Sequence, residues 1–356
     1  MGRISKMLGY GAKVRYNKIR KKPLKPKWIC YTSTEICNSR CVHCNIWKTK
    51  PSSDRLTVEE LRKAFSDPFM SDVEYILVTG GEPSLRPDII EVFKTLHDCC
   101  PKAILQLSTN GIAVNKIKEI VAGCMDYHIK LDVGLSVDGV NEKHDTMRGI
   151  PGNFDKIREL IEFFKQTKKL YPNDFNFILS TTLSGLTVDN YDELEKFAKD
   201  ECVELAYSYY QDAPFYGHKN VKQTTQYDKE TTEKLRRVTM NSPGNPRREM
   251  ILRHLDGKSI KFPCYALQNF FVLSYNGNVS PCLFYSDVSA GNIKKNSFKE
   301  ILTGKSADII RKKIIDKCPG CLNSWSFSWS AATLVTPYVS WGIRHPIELI
   351  KVMKNR

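Results

Sequence analysis

The sequence contains no apolar run that approaches the roughly 18 residues a membrane-spanning helix requires. Its longest apolar stretch, 331–343, is short and is interrupted by Pro337. A secretory signal-peptide pattern is also missing from the first residues. The 12 cysteines stand in short-interval groups within a chain of 356 residues, unlike those of a small disulfide-stapled secreted domain. We therefore expect a cytoplasmic protein whose thiols are reduced.

Acidic residues are missing from the first 27 positions, where ten lysines and arginines stand. Residues 331–356 are also basic, and the stretch between these ends is nearly neutral, although the chain carries a formal charge of +15. Basic segments with interspersed apolar side chains fit an anionic membrane surface or a phosphorylated substrate, and a solvated arm is the structural alternative. We expect peripheral association with the inner face of the membrane. Nucleic acid is not expected, because the central part shows no basic–aromatic surface.

Strand-like apolar segments alternate with helical patterns from about residue 28 to residue 210. Buried strands are predicted at 28–34, 75–79, 103–108, 131–137, 177–183 and 203–210. Helices are predicted between them at 57–66, 88–99, 115–124, 153–168 and 191–199. This alternation predicts a parallel sheet with right-handed crossovers. The expected fold class is α/β, a partial (β/α)6 TIM-type barrel whose strand-end loops gather the polar residues at one face.

Composition divides the chain into five segments. These are a basic N-terminal arm (1–27), the barrel (28–211), a bridging segment with one helix near 228–238 (212–262), a cysteine-bearing β-hairpin and helix domain (263–325), and a basic, apolar tail (326–356). The tail contains a candidate amphipathic helix at 347–354.

Three cysteines, Cys37, Cys41 and Cys44, share one short loop with the spacing CxxxCxxC. A cubane cluster held by three cysteines keeps one iron open to a small molecule. A zinc knuckle is the alternative, but zinc sites usually pair two CxxC units. The spacing resembles the signature of the radical S-adenosylmethionine (radical SAM) superfamily. That resemblance implies a 4Fe–4S cluster whose open iron binds S-adenosylmethionine, and an external one-electron reductant of flavodoxin or ferredoxin type.

Further motifs follow the predicted strands in the order of the same family. Gly80-Gly81-Glu82-Pro83 resembles the GGEP motif, which implies that its backbone binds the amino group of S-adenosylmethionine. The other cofactor contacts implied by the resemblance or suggested by their positions at strand ends are Ser108, Asn110, Ser136, Asp138 and Arg148. His43 stands where the family usually has an aromatic residue that packs on the cofactor. Structural alternatives are ordinary strand-to-helix turns and loop caps.

A second cysteine group comprises Cys264, Cys282, Cys318 and Cys321. Asn276-Gly277 predicts a hairpin turn between the first two cysteines. The hairpin, the following helix at 297–302 and the final CxxC resemble a Twitch domain, the shortened SPASM domain, with intervals similar to those of the butirosin-pathway 2-deoxy-scyllo-inosamine dehydrogenase. This resemblance implies an auxiliary 4Fe–4S cluster with four cysteine ligands. A structural zinc site is the alternative.

Together the resemblances imply reductive cleavage of S-adenosylmethionine to a 5′-deoxyadenosyl radical, which abstracts hydrogen from a substrate. A closed auxiliary cluster favours a two-electron oxidation or radical bond formation. The basic ends favour a small polar substrate that is lipid-linked or phosphorylated. Tyr207, Tyr209 and Gln211 alternate at the end of the sixth strand and are candidates for the substrate pocket, or for packing. A peptide-modifying enzyme, a sugar epimerase and a zinc-binding adaptor stay open; the 36 residues before Cys37 are too few and too basic for a peptide-recognition domain.

Overall fold

The computed structural model describes residues 16–17, 23–218, 227–242, 246–258, 264–318 and 345–346. Most of the basic arm and of the tail, including the candidate helix at 347–354, therefore lies outside the described residues. So does Cys321, the last predicted ligand of the auxiliary cluster.

The described strands form one sheet in the order β6-β5-β4-β3-β2-β1-β7-β8-β9. Their bounds are β1 Trp28–Thr34, β2 Tyr75–Gly80, β3 Ile104–Thr109, β4 Leu131–Ser136, β5 Phe175–Leu183, β6 Leu205–Tyr209, β7 Phe270–Ser274, β8 Asn278–Ser280 and β9 Gly291–Asn292. Strands β1 to β6 are parallel, each beside the next, as βα alternation dictates. The predicted partial barrel is confirmed.

Helices cover the outer face of this sheet. Those described are α1 Val58–Phe65, α2 Ile89–Cys99, α3 Val114–Asp126, α4 Glu142–Arg148, α5 Asn153–Leu170, α6 Tyr191–Asp200, α7 Lys229–Asn241, α8 Pro246–Leu255, α9 Phe298–Thr303 and α10 Lys305–Ile310, followed by a π-helical turn at Arg311–Ile315. Thr57 begins α1 with the capping box that its spacing to Glu60 predicts. Apolar side chains such as Phe164 and Leu135 pack between helices and sheet in one continuous core. No described helix has the length and apolar character needed to cross a membrane.

The C-terminal hairpin extends the barrel sheet rather than forming a sheet of its own. Strand β7 pairs in parallel with β1, from Trp28 opposite Phe270 to Thr32 opposite Ser274. An open barrel leaves β1 as an edge with unpaired backbone groups, and β7 satisfies them. The cysteine-bearing domain is therefore attached directly to the strand that leads into the Cys37–Cys44 loop.

The bridging segment contains two described helices, where the sequence predicted one. Helix α8 begins at Pro246, a position where the missing backbone N–H of proline costs nothing. Helices α7 and α8 contribute Leu235, Val238 and Ile251 to a second apolar cluster, which also contains Tyr209 of β6. This segment therefore covers the outer side of the edge strand β6.

Candidate active site

The carboxyl ends of the parallel strands surround a cavity of ≈ 240 Å3. Its walls include Cys37, Cys41, His43, Cys44, Gly80, Gly81, Glu82, Ser108, Asn110, Ser136 and Arg148. Two predicted substrate-side residues, Tyr209 and Gln211, also line it. The fold thus brings residues predicted for cluster, cofactor and substrate to one cavity.

The cysteine loop between β1 and α1 is held by backbone hydrogen bonds. The N–H of Arg40 donates to the carbonyl of Arg148 at 2.9 Å, and the N–H of Val42 donates to that of Met147 at 3.0 Å. On the other side, the N–H of Asn45 donates to the carbonyl of Tyr216 at 2.8 Å. The loop is therefore fixed by the end of α4 and by the turn that follows β6.

Polar donors surround the cysteine sulfurs. The distance between Ser39 Oγ and Cys41 Sγ is 3.0 Å, and Arg148 Nη1 donates to the same sulfur at 3.7 Å. Asn110 Nδ2 donates to Cys37 Sγ at 3.8 Å. Burial raises the pKa of Cys37 to about 12 and that of Cys44 to about 11, so these thiols ionise only against a cation. Hydrogen-bonded thiolates around a cation are what an iron–sulfur cluster requires.

The two glycines after β2 allow close contact between two backbone segments. The N–H of Gly81 donates to the carbonyl of Thr34 at 2.7 Å, and the N–H of Glu82 donates to that of Ile36 at 2.7 Å. A Cβ on Gly80 would lie closer than 3.0 Å to the Thr34 carbonyl oxygen, and one on Gly81 would overlap that of Ile36. Because they have no side chains, Gly80 and Gly81 pack closely against the base of the cysteine loop. The ligand contact that the sequence predicts for these glycines stays a prediction.

Glu82 is a buried carboxylate that joins the loops after β2 and β3. It accepts hydrogen bonds from Ser84 Oγ at 2.7 Å, Thr109 Oγ1 at 2.8 Å and the backbone N–H of Asn110 at 2.7 Å. Burial raises its pKa, although these hydrogen bonds oppose the shift. Because Asn110 in turn donates to Cys37, Glu82 positions a residue that contacts a predicted cluster ligand.

Asp138 is not among the residues that line the cavity, and its predicted contact with the cofactor stays a prediction. Its Oδ1 accepts from Thr181 Oγ1 at 3.1 Å and from the N–H of Thr182 at 3.0 Å. Its Oδ2 lies 2.9 Å from Arg148 Nη2 and 3.9 Å from His43 Nε2. Burial alone would raise its pKa, but Arg148 and His43 hold the pKa below its usual value. Asp138 therefore acts by supporting Arg148 and His43, which do line the cavity.

Two buried nitrogens on the cavity wall, His43 Nδ1 and Arg148 Nε, have no hydrogen-bond partner among the described residues. A polar ligand that offers a carboxylate or another oxygen to Arg148 Nε and a hydrogen-bonding group to His43 Nδ1 would satisfy them. Ser108 and Ser136 add hydroxyl groups to the same wall. The donor set fits S-adenosylmethionine beside the cysteine loop.

No three cysteine, histidine or carboxylate side chains among the described residues converge on a point where one metal ion could be held.

Tyr207 does not line the cavity, although its spacing from Tyr209 suggested that it would. Its ring lies against Tyr191, with the Arg247 guanidinium of α8 5.8 Å from the ring centroid. Helix α8, which the sequence did not predict, covers this side chain. Tyr209 reaches the cavity wall, and its hydroxyl is hydrogen-bonded to Thr239 of α7.

Several lining residues were not singled out from sequence: Ser39, Ile46, Thr79, Thr109, Ser180, Thr182, Ser208, Tyr210, Phe215, Tyr216, Leu283 and Phe284. Successive side chains of a strand point to opposite faces of the sheet. This alternation along the last residues of β5 and β6 could have predicted that Ser180, Thr182 and Ser208 line the cavity. No sequence signal points to Leu283 and Phe284, because they reach the cavity only through the pairing of β7 with β1.

Among the auxiliary cysteines, Cys264, Cys282 and Cys318 are described, each partly buried. Cys282 immediately precedes a 3-10 turn at Leu283–Tyr285, which contacts a second such turn at Pro214–Tyr216. Leu283 and Phe284 are thus both cavity-wall residues and sequence neighbours of a predicted cluster ligand. The hairpin domain closes the mouth of the barrel beside β6.

Comparison with known families agrees with this arrangement. Residues 31–200 match the radical SAM superfamily, and residues 264–322 match the SPASM iron–sulfur cluster-binding domain. The chain contains a radical SAM domain followed by a SPASM domain. Its cofactors are accordingly S-adenosylmethionine and 4Fe–4S clusters, one in each domain. Radical SAM enzymes also require an external reductant.

The AdoMet-dependent heme synthase of Methanosarcina barkeri is 27% identical over 309 residues, 81% of this chain and 84% of its own length. Mycofactocin maturase MftC of Mycolicibacterium smegmatis is 29% identical over 175 residues, 48% of this chain and 41% of its own. A solved structure, native anSMEcpe with bound AdoMet and Kp18Cys peptide, covers 93% of this chain and 100% of that chain, with 22% identity and a TM-score of 0.61. It confirms the fold. BtrN in complex with AdoMet and 2-DOIA covers 84% of this chain and 94% of that chain at 14% identity, but its TM-score of 0.42 is too low to support a shared function.

Proposed function

We propose that this chain is a radical SAM oxidoreductase that removes two electrons from a small polar substrate at the mouth of the barrel. The supporting observation is the composition of the cavity at the carboxyl ends of the strands. Its lining includes Cys37, Cys41 and Cys44 together with hydroxyl and amide groups from the end of β5 and from β6 and the residues after it.

Cys37, Cys41 and Cys44 would hold the first cluster, with S-adenosylmethionine against Ser108, Ser136 and the backbone after β2. Bound together, these groups supply hydrogen-atom abstraction. The chain's own residues orient and enclose the reactants. Glu82 and Asp138 fix the surrounding loops from inside the protein.

The lining of the cavity combines polar and apolar side chains. Its polar groups include Ser180, Thr182, Ser208 and Gln211, which suit hydroxyl or phosphate groups, and its apolar side chains include Leu283 and Phe284. A few polar groups against apolar surface is the usual composition of a small-molecule site. This composition favours a sugar-like or polyol substrate, free, phosphorylated or lipid-linked.

The auxiliary cluster would be held by Cys264, Cys282, Cys318 and Cys321. Bound there, it would accept one electron from the substrate. In a two-electron oxidation the substrate releases one hydrogen atom, one electron and one proton. The cavity wall formed by Leu283 and Phe284 directly follows Cys282, which keeps the proposed acceptor adjacent to the substrate side.

Replacing Cys37, Cys41 and Cys44 together with alanine is expected to leave about four irons per chain, because the auxiliary ligands are untouched. Cleavage of S-adenosylmethionine by dithionite-reduced protein should be lost. Iron and acid-labile sulfide in anaerobically reconstituted protein, with 5′-deoxyadenosine by chromatography, measure both effects. Cys124→Ala serves as the control, since this buried thiol lies in α3, away from the cavity. Complete loss of iron from the triple variant would contradict an auxiliary cluster.

A porphyrin-type substrate is the second candidate, because the heme synthase of Methanosarcina barkeri aligns along most of both chains. A screen of sugars, polyols, porphyrins and peptides, scored by deuterium transfer into 5′-deoxyadenosine, separates these substrate classes. Product mass then distinguishes oxidation from epimerisation, which would exchange hydrogen without mass loss.

The basic arm is expected to bring the enzyme to anionic membranes. Full-length protein should co-sediment with vesicles containing phosphatidylserine at low salt, and removal of residues 1–27 should abolish this, since about ten positive charges are lost. Neutral phosphatidylcholine vesicles provide the control. Absence of sedimentation of the full chain at low salt would exclude the membrane-associated substrate.

A further inference from the structure

We propose that the outer surface of the cysteine loop, formed by Arg40, Val42, Trp47, Lys48 and Lys50 and called here the loop surface, is the docking site of an acidic one-electron carrier protein. The inference rests on the proposed function, since only a redox enzyme needs such a carrier. It assigns to a defined surface the reductant that radical SAM chemistry requires.

The loop is accessible from one side. The cavity lies on its inner side, the end of α4 binds the backbone of Arg40 and Val42, and Tyr216 binds that of Asn45. Between Cys37 and Cys44 only Arg40 and Val42 are exposed, Val42 with 59% of its surface. Among the described residues, the loop surface is therefore the exposed side from which a protein partner can come near the three cysteines.

Trp47 links this surface to a predicted cluster ligand. Its Nε1 donates a hydrogen bond to the carbonyl oxygen of Cys44 at 2.9 Å. The guanidinium carbon of Arg40 lies 5.0 Å from the indole centroid, and Lys48 Nζ lies 4.9 Å from it. The Arg40 and Lys48 side chains thus lie over an indole ring that is hydrogen-bonded to the cysteine loop. A carrier bound to these cations would lie directly over the cluster site.

The charge of the loop surface is unbalanced. Residues 36–53 include Arg40, Lys48 and Lys50 but no aspartate or glutamate. None of these three cations pairs with a carboxylate among the described residues, whereas Lys116, Lys118 and other surface lysines do. Unpaired cations around an exposed apolar side chain match an acidic protein surface and speed its encounter. Electron-transfer complexes of this kind are small and transient.

The test reverses charge at Lys48 and Lys50, whose side chains are exposed. The reconstituted variant Lys48→Glu/Lys50→Glu is mixed with a reduced, acidic bacterial flavodoxin at low salt. Rapid-freeze EPR follows the formation of the reduced cluster whose signal S-adenosylmethionine perturbs. We expect the second-order rate constant to fall about tenfold or more, because steering is lost. Reduction by dithionite should stay within twofold of wild type.

Lys102→Glu/Lys130→Glu is the matched control, with the same change in net charge. Both lysines are exposed and precede β3 and β4, at the opposite ends of the strands. We expect flavodoxin to reduce this control at the wild-type rate, and Lys50→Glu alone to give an intermediate loss. Raising the salt concentration should slow the wild type towards the variant.

Equal flavodoxin rates for wild type and Lys48→Glu/Lys50→Glu would overturn the proposal, and so would an equal loss in the control pair. A variant that keeps its flavodoxin rate but loses binding to anionic vesicles would assign the loop surface to a membrane instead. Failure of dithionite to reduce any cluster in wild-type protein would be a different result, since it would overturn the proposed function itself.

Discussion

Replacement of Gly81 by alanine is expected to remove the N-terminal cluster while leaving the auxiliary one, so that iron falls from about eight to about four per chain. The added methyl group would overlap the carbonyl oxygen of Ile36, the residue next to Cys37. Because the obstacle is backbone, no rotamer change can relieve it. The two segments must separate, which breaks the hydrogen bonds from Gly81 to Thr34 and from Glu82 to Ile36. The start of the cysteine loop is then no longer held in place by these two backbone hydrogen bonds.

The control for this variant is Gly185→Ala, in the exposed loop after β5. A methyl group there meets only the side chain of Thr231, at the ordinary contact distance of 3.5 Å. Its iron content should equal that of wild type. Iron per chain and the EPR response to S-adenosylmethionine measure both variants. Full retention of the S-adenosylmethionine-sensitive signal in Gly81→Ala would show that the loop tolerates displacement, contrary to the packing argument.

The barrel could be predicted from sequence because its signals are local. Each buried strand is an apolar run, and each helix has its own amphipathic period, so the β1 bounds were predicted without error and the others within a few residues. Helix α4 was not predicted from sequence, because its seven residues carry polar side chains at most positions and show no amphipathic period. Helix α8 was not predicted either, and it begins at a proline, a residue type that is common in turns.

The site could be predicted as a set of motifs, but not as a set of contacts. Asp138 and Arg148 were both assigned to the cofactor, since a motif does not say which of its members faces inward. In the folded chain they form a buried pair, and only Arg148 lines the cavity. Leu283 and Phe284 depend on a strand pairing across some 240 residues, between β1 and β7, which no local pattern encodes.

Asp138→Asn is expected to destabilise the protein by about 3–5 kcal/mol, because it removes the carboxylate partner of the buried guanidinium of Arg148. The amide keeps the size of the carboxylate, and its oxygen can still accept from Thr181 and from the N–H of Thr182. Its NH2 group would then face Arg148 Nη2, donor against donor. Anaerobic urea unfolding of reconstituted wild type and variant measures the difference in the free energy of unfolding.

Asp132→Asn is the matched control, since both carboxylates belong to the β4 region but differ in their surroundings. Asp132 has no ion pair with the described residues, and burial raises its pKa, so its charge is already unfavourable there. Neutralising it should leave stability unchanged or raise it slightly. The pair of variants therefore separates loss of a buried counter-ion from loss of a buried charge. Similar destabilisation by both would mean that the Asp138–Arg148 pair contributes no more than any carboxylate in this part of the sheet. A loss confined to Asp138→Asn would identify the pair as the support of the cavity wall beside Cys41.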